Sequence, residues 1–372
     1  MIEPMRSLQV KECRLCGLRE AEISAKLQVC GACIRESFPE ALPFIRAAHH
    51  EVRSSLGLPL DPPREGYPCD LCVNMCRLQE GQRGFCGVRA GRDGAVESIV
   101  PGAIVSWYYD DLPTNCVADF VCPGGTGCGY PQFSRRPGPE YGYRNLAVFY
   151  GACNFSCLFC QNWRFRSMTR KREPVMTPED LADKVDERTS CICYFGGDPT
   201  PQVQHAIRTS ELALGGRTPP RVCFETNGSV ARRYLREMAR LSYESGGCIK
   251  FDLKAWDEGI NYALCFATNK LTLRNFEWLV RYHEERGDRG VAFIVASTLL
   301  VPGYVEEEEV RMISSFIADL DPNIPYSLLA FSPRFMMRDM PLVSTRKAHR
   351  CLDIAQQSGL RRVRIGNAYL LA

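Results

Sequence analysis

From Tyr141 onward the chain alternates short, nearly unbroken apolar runs with amphipathic segments, and few architectures accept that order. The runs are Leu146 to Tyr150, Cys191 to Phe195, Arg221 to Phe224, Cys248 to Leu253, Val291 to Leu299 and Tyr326 to Leu329. Strands with so little polar alternation are buried on both faces, the condition of a parallel sheet covered by helices. Between them, "TPEDLADKV" offers Thr177 as a cap, Pro178 at the first helical position and acids in the first turn. Phe276, Leu279, Val280 and His283 fall on one helical face, as do Val310, Ile313, Ile317 and Leu320. Strand and helix in strict succession predict an α/β fold with a parallel sheet and right-handed crossovers. A length of about 230 residues suits a partial (β/α)6 TIM-type barrel better than a closed eightfold one. "VRIGN" near the C-terminus is a candidate last short strand.

Cysteine organises the rest. The chain has 20 cysteines in 372 residues, below the roughly 8–10% of a disulfide scaffold, and 14 of them lie in the first 160 residues, mostly in tight groups. Metal is the better explanation. Three blocks result: residues 1–60, 61–140 and 141–372. In the first, Cys13, Cys16, Cys30 and Cys33 form two C-x2-C knuckles, the pattern of a zinc ribbon, followed by a helix-like stretch and a Pro-rich linker. The second, rich in Gly and Cys and expected to pack on the barrel, holds Cys69, Cys72, Cys76 and Cys86, enough for zinc or an auxiliary cluster. Cys116, Cys122 and Cys128 lie in a Gly-rich stretch as ligands, substrate-facing thiols or part of a lid. Isolated later cysteines such as Cys223 and Cys351 read as core residues. His49 and His50 read as solvated, and His205 and His283 as ordinary helix residues.

The net charge of +3 gives no signal for nucleic acid or an anionic membrane, and the basic run "RFRSMTRKR", Arg164 to Arg172, reads as a solvated face. The longest apolar stretch, "VAFIVASTLLV", has 11 residues, short of the roughly 20 of a membrane span. The opening "MIEPMRSLQVKEC" lacks the apolar core of a signal peptide. The expectation is a cytoplasmic protein with no membrane partner.

The third block opens with "GACNFSCLFCQNW", which places Cys153, Cys157 and Cys160 at C-x3-C-x2-C after the first barrel strand. Barrels of this kind put their reactive groups at that end. A four-iron cluster ordinarily takes four thiolates, so three leave one iron open to a ligand. A zinc site with a distant fourth ligand is the alternative, although zinc usually draws on paired knuckles. Gly196-Gly197-Asp198, Glu225-Thr226-Asn227-Gly228 and Asp252-Leu253-Lys254 each close a separate strand. Their glycines admit close backbone approach, and Asp198, Glu225, Asp252 and Lys254 offer partners for an amine, ribose hydroxyls and a carboxylate. Asp252 and Lys254 pairing only with each other is the plainer alternative.

Together these motifs resemble the radical S-adenosylmethionine (SAM) superfamily, whose signature C-x3-C-x-(aromatic)-C is matched with Phe159 at the aromatic position. "YFGGDPTP", "FETNG" and "KFDLKAWD" are similar to motifs of the pyruvate formate-lyase-activating-enzyme branch. "LLVPGY", "IPYSLLAFSP", "IGN" and "CDLCVNMCRLQEGQRGFCGVR" resemble its relatives, including the AmmeMemoRadiSam group, so the likeness covers about residues 67–372. The resemblance implies a 4Fe-4S cluster on Cys153, Cys157 and Cys160. It implies SAM held by Phe159, Gly196, Gly197, Asp198, Glu225, Thr226, Asn227, Asp252, Lys254 and Ser327. It also implies a low-potential reductant such as flavodoxin or ferredoxin. The implied reaction is hydrogen abstraction by a 5'-deoxyadenosyl radical from a protein, peptide or small molecule, with activation of a glycyl-radical enzyme as one form. Two departures stand out: Ser327 occupies the place of a histidine often found in that branch, and Glu225 replaces the more usual Asp. A non-catalytic Fe-S or zinc protein, acting as electron carrier or adaptor, is the competing class; the missing fourth cysteine and the three rim motifs argue against it.

Overall fold

The computed structural model describes residues 9–372, so the first eight residues of the stretch read against a signal peptide lie outside the described residues. Each apolar run is a strand. In chain order the main sheet contains β1 (Ala103–Asp111), β2 (Arg144–Tyr150), β3 (Val175–Met176), β4 (Thr189–Gly196), β5 (Arg221–Thr226), β6 (Ile249–Asp252), β7 (Ile294–Leu300), β8 (Tyr326–Ala330) and β9 (Val363–Gly366). Its order is β9-β8-β7-β6-β5-β4-β2-β1-β3. β2 and β4 to β9 run parallel, so "VRIGN" supplies a further parallel strand. β1 is antiparallel to β2, and β3 to β1.

The two faces of the strands differ in chemistry. Leu146, Val148, Tyr150, Ile192, Tyr194, Val222, Phe224, Ile249 and Phe251 are fully buried in the apolar core, and each such side chain contributes roughly 1.5–3 kcal/mol. The alternate positions, among them Asn145, Cys191, Cys193, Arg221, Cys223, Glu225, Cys248 and Lys250, line the barrel interior instead. Helix starts follow the expected caps. Thr177 and Asp180 form a reciprocal capping box, and Asp257 caps helix Glu258–Cys265 through Ile260 N at 2.8 Å.

Two expectations are revised. The second block contributes β1 to the sheet, a strand hidden in the sequence because its half-exposed Trp107 and Tyr109 and exposed Tyr108 leave no apolar alternation. His49 is fully buried rather than solvated. It lies on the inner face of helix Phe38–Ser55 with Ile45 and Val52, stacks on Phe266 at 4.5 Å and places Nε2 2.9 Å from Ala263 O. Burial pushes its pKa down to about 3. The ribbon segment shares one core with the barrel, Ile23, Leu27, Val29 and Ile34 packing among barrel residues. Tyr304 joins them, its hydroxyl donating to Val29 O and accepting from Ser24 N, both at 2.9 Å. No described helix is long and apolar enough to cross a membrane.

Candidate active site

After β2 the chain enters an irregular loop that carries Cys153, Cys157 and Cys160. Buried irregular backbone needs partners for its polar groups, and here several segments supply them. Ser156 N and Leu158 N donate to Cys265 O and Leu264 O at 2.8 and 2.9 Å, and Met336 N donates to Leu158 O at 3.0 Å. Gln161 Nε2 donates to Phe159 O and Ser332 O, both at 2.9 Å. Thus anchored, the three thiols border a cavity of about 330 Å³ at the carboxyl ends of the strands. Phe159, Gly196, Gly197, Asp198, Glu225, Thr226, Asn227, Asp252 and Lys254 border the same cavity. The residues that the resemblance assigns to the cluster and to SAM converge there, with one exception. Ser327 does not line it: its hydroxyl donates to Val117 O at 2.8 Å and accepts from Arg364 Nε at 3.2 Å.

The rim motifs are locked to one another. A side chain at Gly197 would place Cβ 1.9 Å from Ala152 O, and glycine therefore lets β4 close against the cysteine loop. Asp198, 3% exposed, accepts from Thr200 N and Asn227 N at 2.8 Å and from Thr226 Oγ1 at 3.1 Å. Both carboxylate oxygens are thus engaged by the protein, and Asp198 ties the ends of β4 and β5 together instead of standing free for a ligand's amine. Burial pushes its carboxyl pKa up against those hydrogen bonds. Asn227 Nδ2 donates to Asn154 Oδ1 at 2.8 Å, joining this rim to the cysteine loop.

At the end of β6 the two charged residues pair with each other, Lys254 Nζ donating to Asp252 Oδ2 at 2.5 Å, and both stay on the cavity wall. Ser297 Oγ holds the other oxygen at 2.6 Å. Burial opposes the Lys254 charge, but Asp252, Cys157 and Cys265 outweigh it and hold the ammonium above its ordinary value. Its Nζ is 5.9 Å from the centre of the Phe159 ring. Among the thiols, burial raises Cys153 well above its usual value and pushes Cys160 up to about 11. A hydrogen bond from Cys265 lowers Cys157 against burial, with Lys254 and Arg166 adding to it. Cys265 itself is buried and is not on the cavity wall.

Arg166 corrects the reading of the basic run as a solvated face. It is 3% exposed, stacks over Phe335 at 4.7 Å and lies 3.5 Å from Cys157 O. Nothing in its neighbourhood of like residues marks it out from Arg164. Asn115, Cys116, Arg364 and Asn367 also border the cavity, brought there by long-range pairing. Cys116 faces the barrel interior, accepting from Lys250 Nζ at 3.1 Å.

The other thiol groups differ in spacing. Cys13, Cys16, Cys30 and Cys33 have all four sulfurs within 4.8 Å of one another, which holds for no other such group among the described residues. Cys153, Cys157 and Cys160 are not so closely set. Cys69, Cys72, Cys76 and Cys86 sit around a short hairpin, Tyr67–Pro68 with Arg77–Leu78. This hairpin backs onto the site, with Ala231 N donating to Leu71 O and Asn74 Nδ2 to Asn154 O, both at 2.7 Å.

Residues 147–316 match the family model described as the Radical SAM superfamily. An uncharacterized protein of Methanocaldococcus jannaschii is 24% identical over 306 residues, 80% of this chain and 80% of its own length. A second protein of that organism, named "Putative glycyl-radical enzyme activating enzyme", is 27% identical over 185 residues, 48% of this chain and 64% of its own. Among solved structures, a domain of pyruvate-formate lyase-activating enzyme from Bacteroides vulgatus aligns at 20% identity and TM-score 0.38, covering 48% of this chain and 99% of that one. SuiB from Streptococcus suis, bound to S-adenosylmethionine, aligns at 14% identity and TM-score 0.43, covering 59% of this chain and 49% of SuiB. The family match spans the strand ends that bear the three thiols and the rim, so the chain carries a domain matching the Radical SAM superfamily at residues 147–316.

Proposed function

We propose that the cavity at the strand ends holds a 4Fe-4S cluster on Cys153, Cys157 and Cys160 and binds SAM between that cluster and the rim. One observation carries this reading: three thiols and three strand-end motifs border a single cavity, and Cys116, the other thiol on its boundary, is hydrogen-bonded to Lys250. Cys153, Cys157 and Cys160 would hold the cluster, which would supply the one electron that cleaves the S–C5' bond of SAM into methionine and a 5'-deoxyadenosyl radical able to take a hydrogen atom from a substrate. The chain's own residues bind, orient and exclude water. The Asp252–Lys254 pair meets the amine and carboxylate of the methionine moiety, and Glu225, 29% exposed at its side chain, accepts from ribose hydroxyls. Phe159 and Phe195 exclude water from the cavity. Asp198 acts by positioning Thr226 and Asn227. Ser327, engaged elsewhere, takes no part in holding the nucleoside.

The electron comes from a low-potential carrier such as flavodoxin or ferredoxin. The name of the second M. jannaschii relative favours a protein substrate, a glycine of a glycyl-radical enzyme. Zinc is the ion best suited to Cys13, Cys16, Cys30 and Cys33, whose close-set thiols form a closed structural site. In anaerobically reconstituted protein, replacing Cys153, Cys157 and Cys160 together with Ala removes one cluster's iron per chain; unchanged iron contradicts the assignment.

A further inference from the structure

Beneath the SAM cavity, the inner faces of β4, β5 and β6 carry three cysteines in one row. Cys193 is in register with Cys223. Phe224 is in register with Ile249, so Cys248 continues the row, with its Sγ 3.9 Å from that of Cys223. Cys191 lies two residues before Cys193 on the same inner face, and Cys116 and Cys122 reach in from the loop after β1. All six thiols line one cavity of about 130 Å³, and none is in a disulfide. Barrel interiors are ordinarily filled by branched aliphatic side chains, and as packing a thiol offers only a small hydrophobe. Stability alone does not account for six thiols meeting at one cavity.

Charge makes a second, independent observation. Lys250 is 2% exposed, and the closest partners of its Nζ are sulfurs: Cys193 at 3.0 Å and Cys116 at 3.1 Å. The Glu225 carboxylate is further away, at 3.4 Å. A buried ammonium donating to sulfur favours the thiolate, the form that binds metal. Thiolate sets select copper(I), zinc or iron-sulfur clusters. Cys223 and Cys248 stand about as close as the ribbon's pairs, but no three of these sulfurs lie within 4.8 Å of one another as the ribbon's do, so a cluster, which spreads its thiolates over more than one iron, suits them better than a single ion.

We propose that the barrel interior holds a second iron-sulfur cluster, ligated by Cys193, Cys223 and Cys248 from the strands and Cys116 from the crossing loop. It borders the SAM cavity through Cys116 and Glu225, which line both spaces. Lys250 balances its negative charge. This site stands apart from the SAM reading, because it draws on none of Cys153, Cys157 or Cys160.

The test uses the full chain, reconstituted anaerobically with iron and sulfide. In a background carrying Cys153→Ala, Cys157→Ala, Cys160→Ala, Cys69→Ala, Cys72→Ala, Cys76→Ala and Cys86→Ala, iron and acid-labile sulfide persist in equal amounts. Adding Cys193→Ser and Cys223→Ser removes both. Since the multiple variant can fail to fold, a second arm compares wild type with the single Cys116→Ser variant, altered in a loop, by iron content, electron paramagnetic resonance and melting temperature. Loss of one cluster's iron and its reduced-state signal at an unchanged melting temperature supports the proposal. Zinc in place of iron at this site, or iron content indifferent to Cys116→Ser in folded protein, overturns it.

Discussion

Asp252 and Asp198 were indistinguishable in sequence, each an acid closing a strand, and the structure gives them different work. Asp252 holds one lysine and one serine hydroxyl at the cavity wall; Asp198 holds two backbone N–H groups and a threonine across two strand ends. Asp252→Ala should therefore weaken SAM binding to reconstituted protein about ten- to a hundredfold, roughly the 1.5–3 kcal/mol of a charged hydrogen bond, while iron per chain stays constant. Asp198→Ala should lower both SAM affinity and iron retention, because Asn227 and Asn154 lose their anchor. Calorimetric titration beside iron analysis separates the two; equal iron retention in both variants contradicts the positioning role of Asp198. At this scale the thiols and rim were legible because a short spacing encodes them. Arg166 and His49 were not, since their burial depends on Phe335 and Phe266, far away in the chain.

Among the elements, the parallel strands were legible as apolar runs, but the same runs concealed what the inner face carries. Cysteine counts as apolar, so Cys191, Cys193, Cys223 and Cys248 read as core, and only strand register brings them into one cavity. The attachment of the second block was equally hidden. Its Glu140 is fully buried and paired with Arg221 of β5, Nη1 to Oε1 at 2.8 Å and Nη2 to Oε2 at 2.6 Å, with Arg135 N adding a bond at 2.7 Å. Glu140→Gln leaves Arg221 buried without a counter-charge, and should cost about 3–5 kcal/mol. Burial opposes the Glu140 charge, but Arg221 outweighs it and holds the carboxyl below its ordinary value. Its contribution is thus present above the unfolded pKa of about 4.3 and is lost as pH falls through the lower folded value. Melting curves of wild type and Glu140→Gln should differ most at neutral pH and converge in acid; a gap independent of pH contradicts the ion-pair account.

At the scale of the whole molecule, the ribbon knuckles were legible as a metal module, whereas their integration into the barrel core was not, because it rests on contacts such as Tyr304 with Ser24 and Val29. If the four knuckle thiols hold the proposed zinc, removing it should accordingly loosen more than the ribbon. Cys13→Ala with Cys16→Ala should lower the melting temperature of the main calorimetric transition; a separate low-temperature transition with the main one unmoved indicates an independent module. The fold gathers three thiols and three strand-end motifs around one cavity, where the proposed cluster would keep one iron open to SAM. The most direct test is to reduce the reconstituted protein with dithionite or flavodoxin, add SAM and measure 5'-deoxyadenosine and methionine. The account predicts both products in equal amounts, slowly without substrate, and none from the Cys153→Ala, Cys157→Ala, Cys160→Ala variant. Reduced, cluster-loaded wild type that yields no 5'-deoxyadenosine contradicts it.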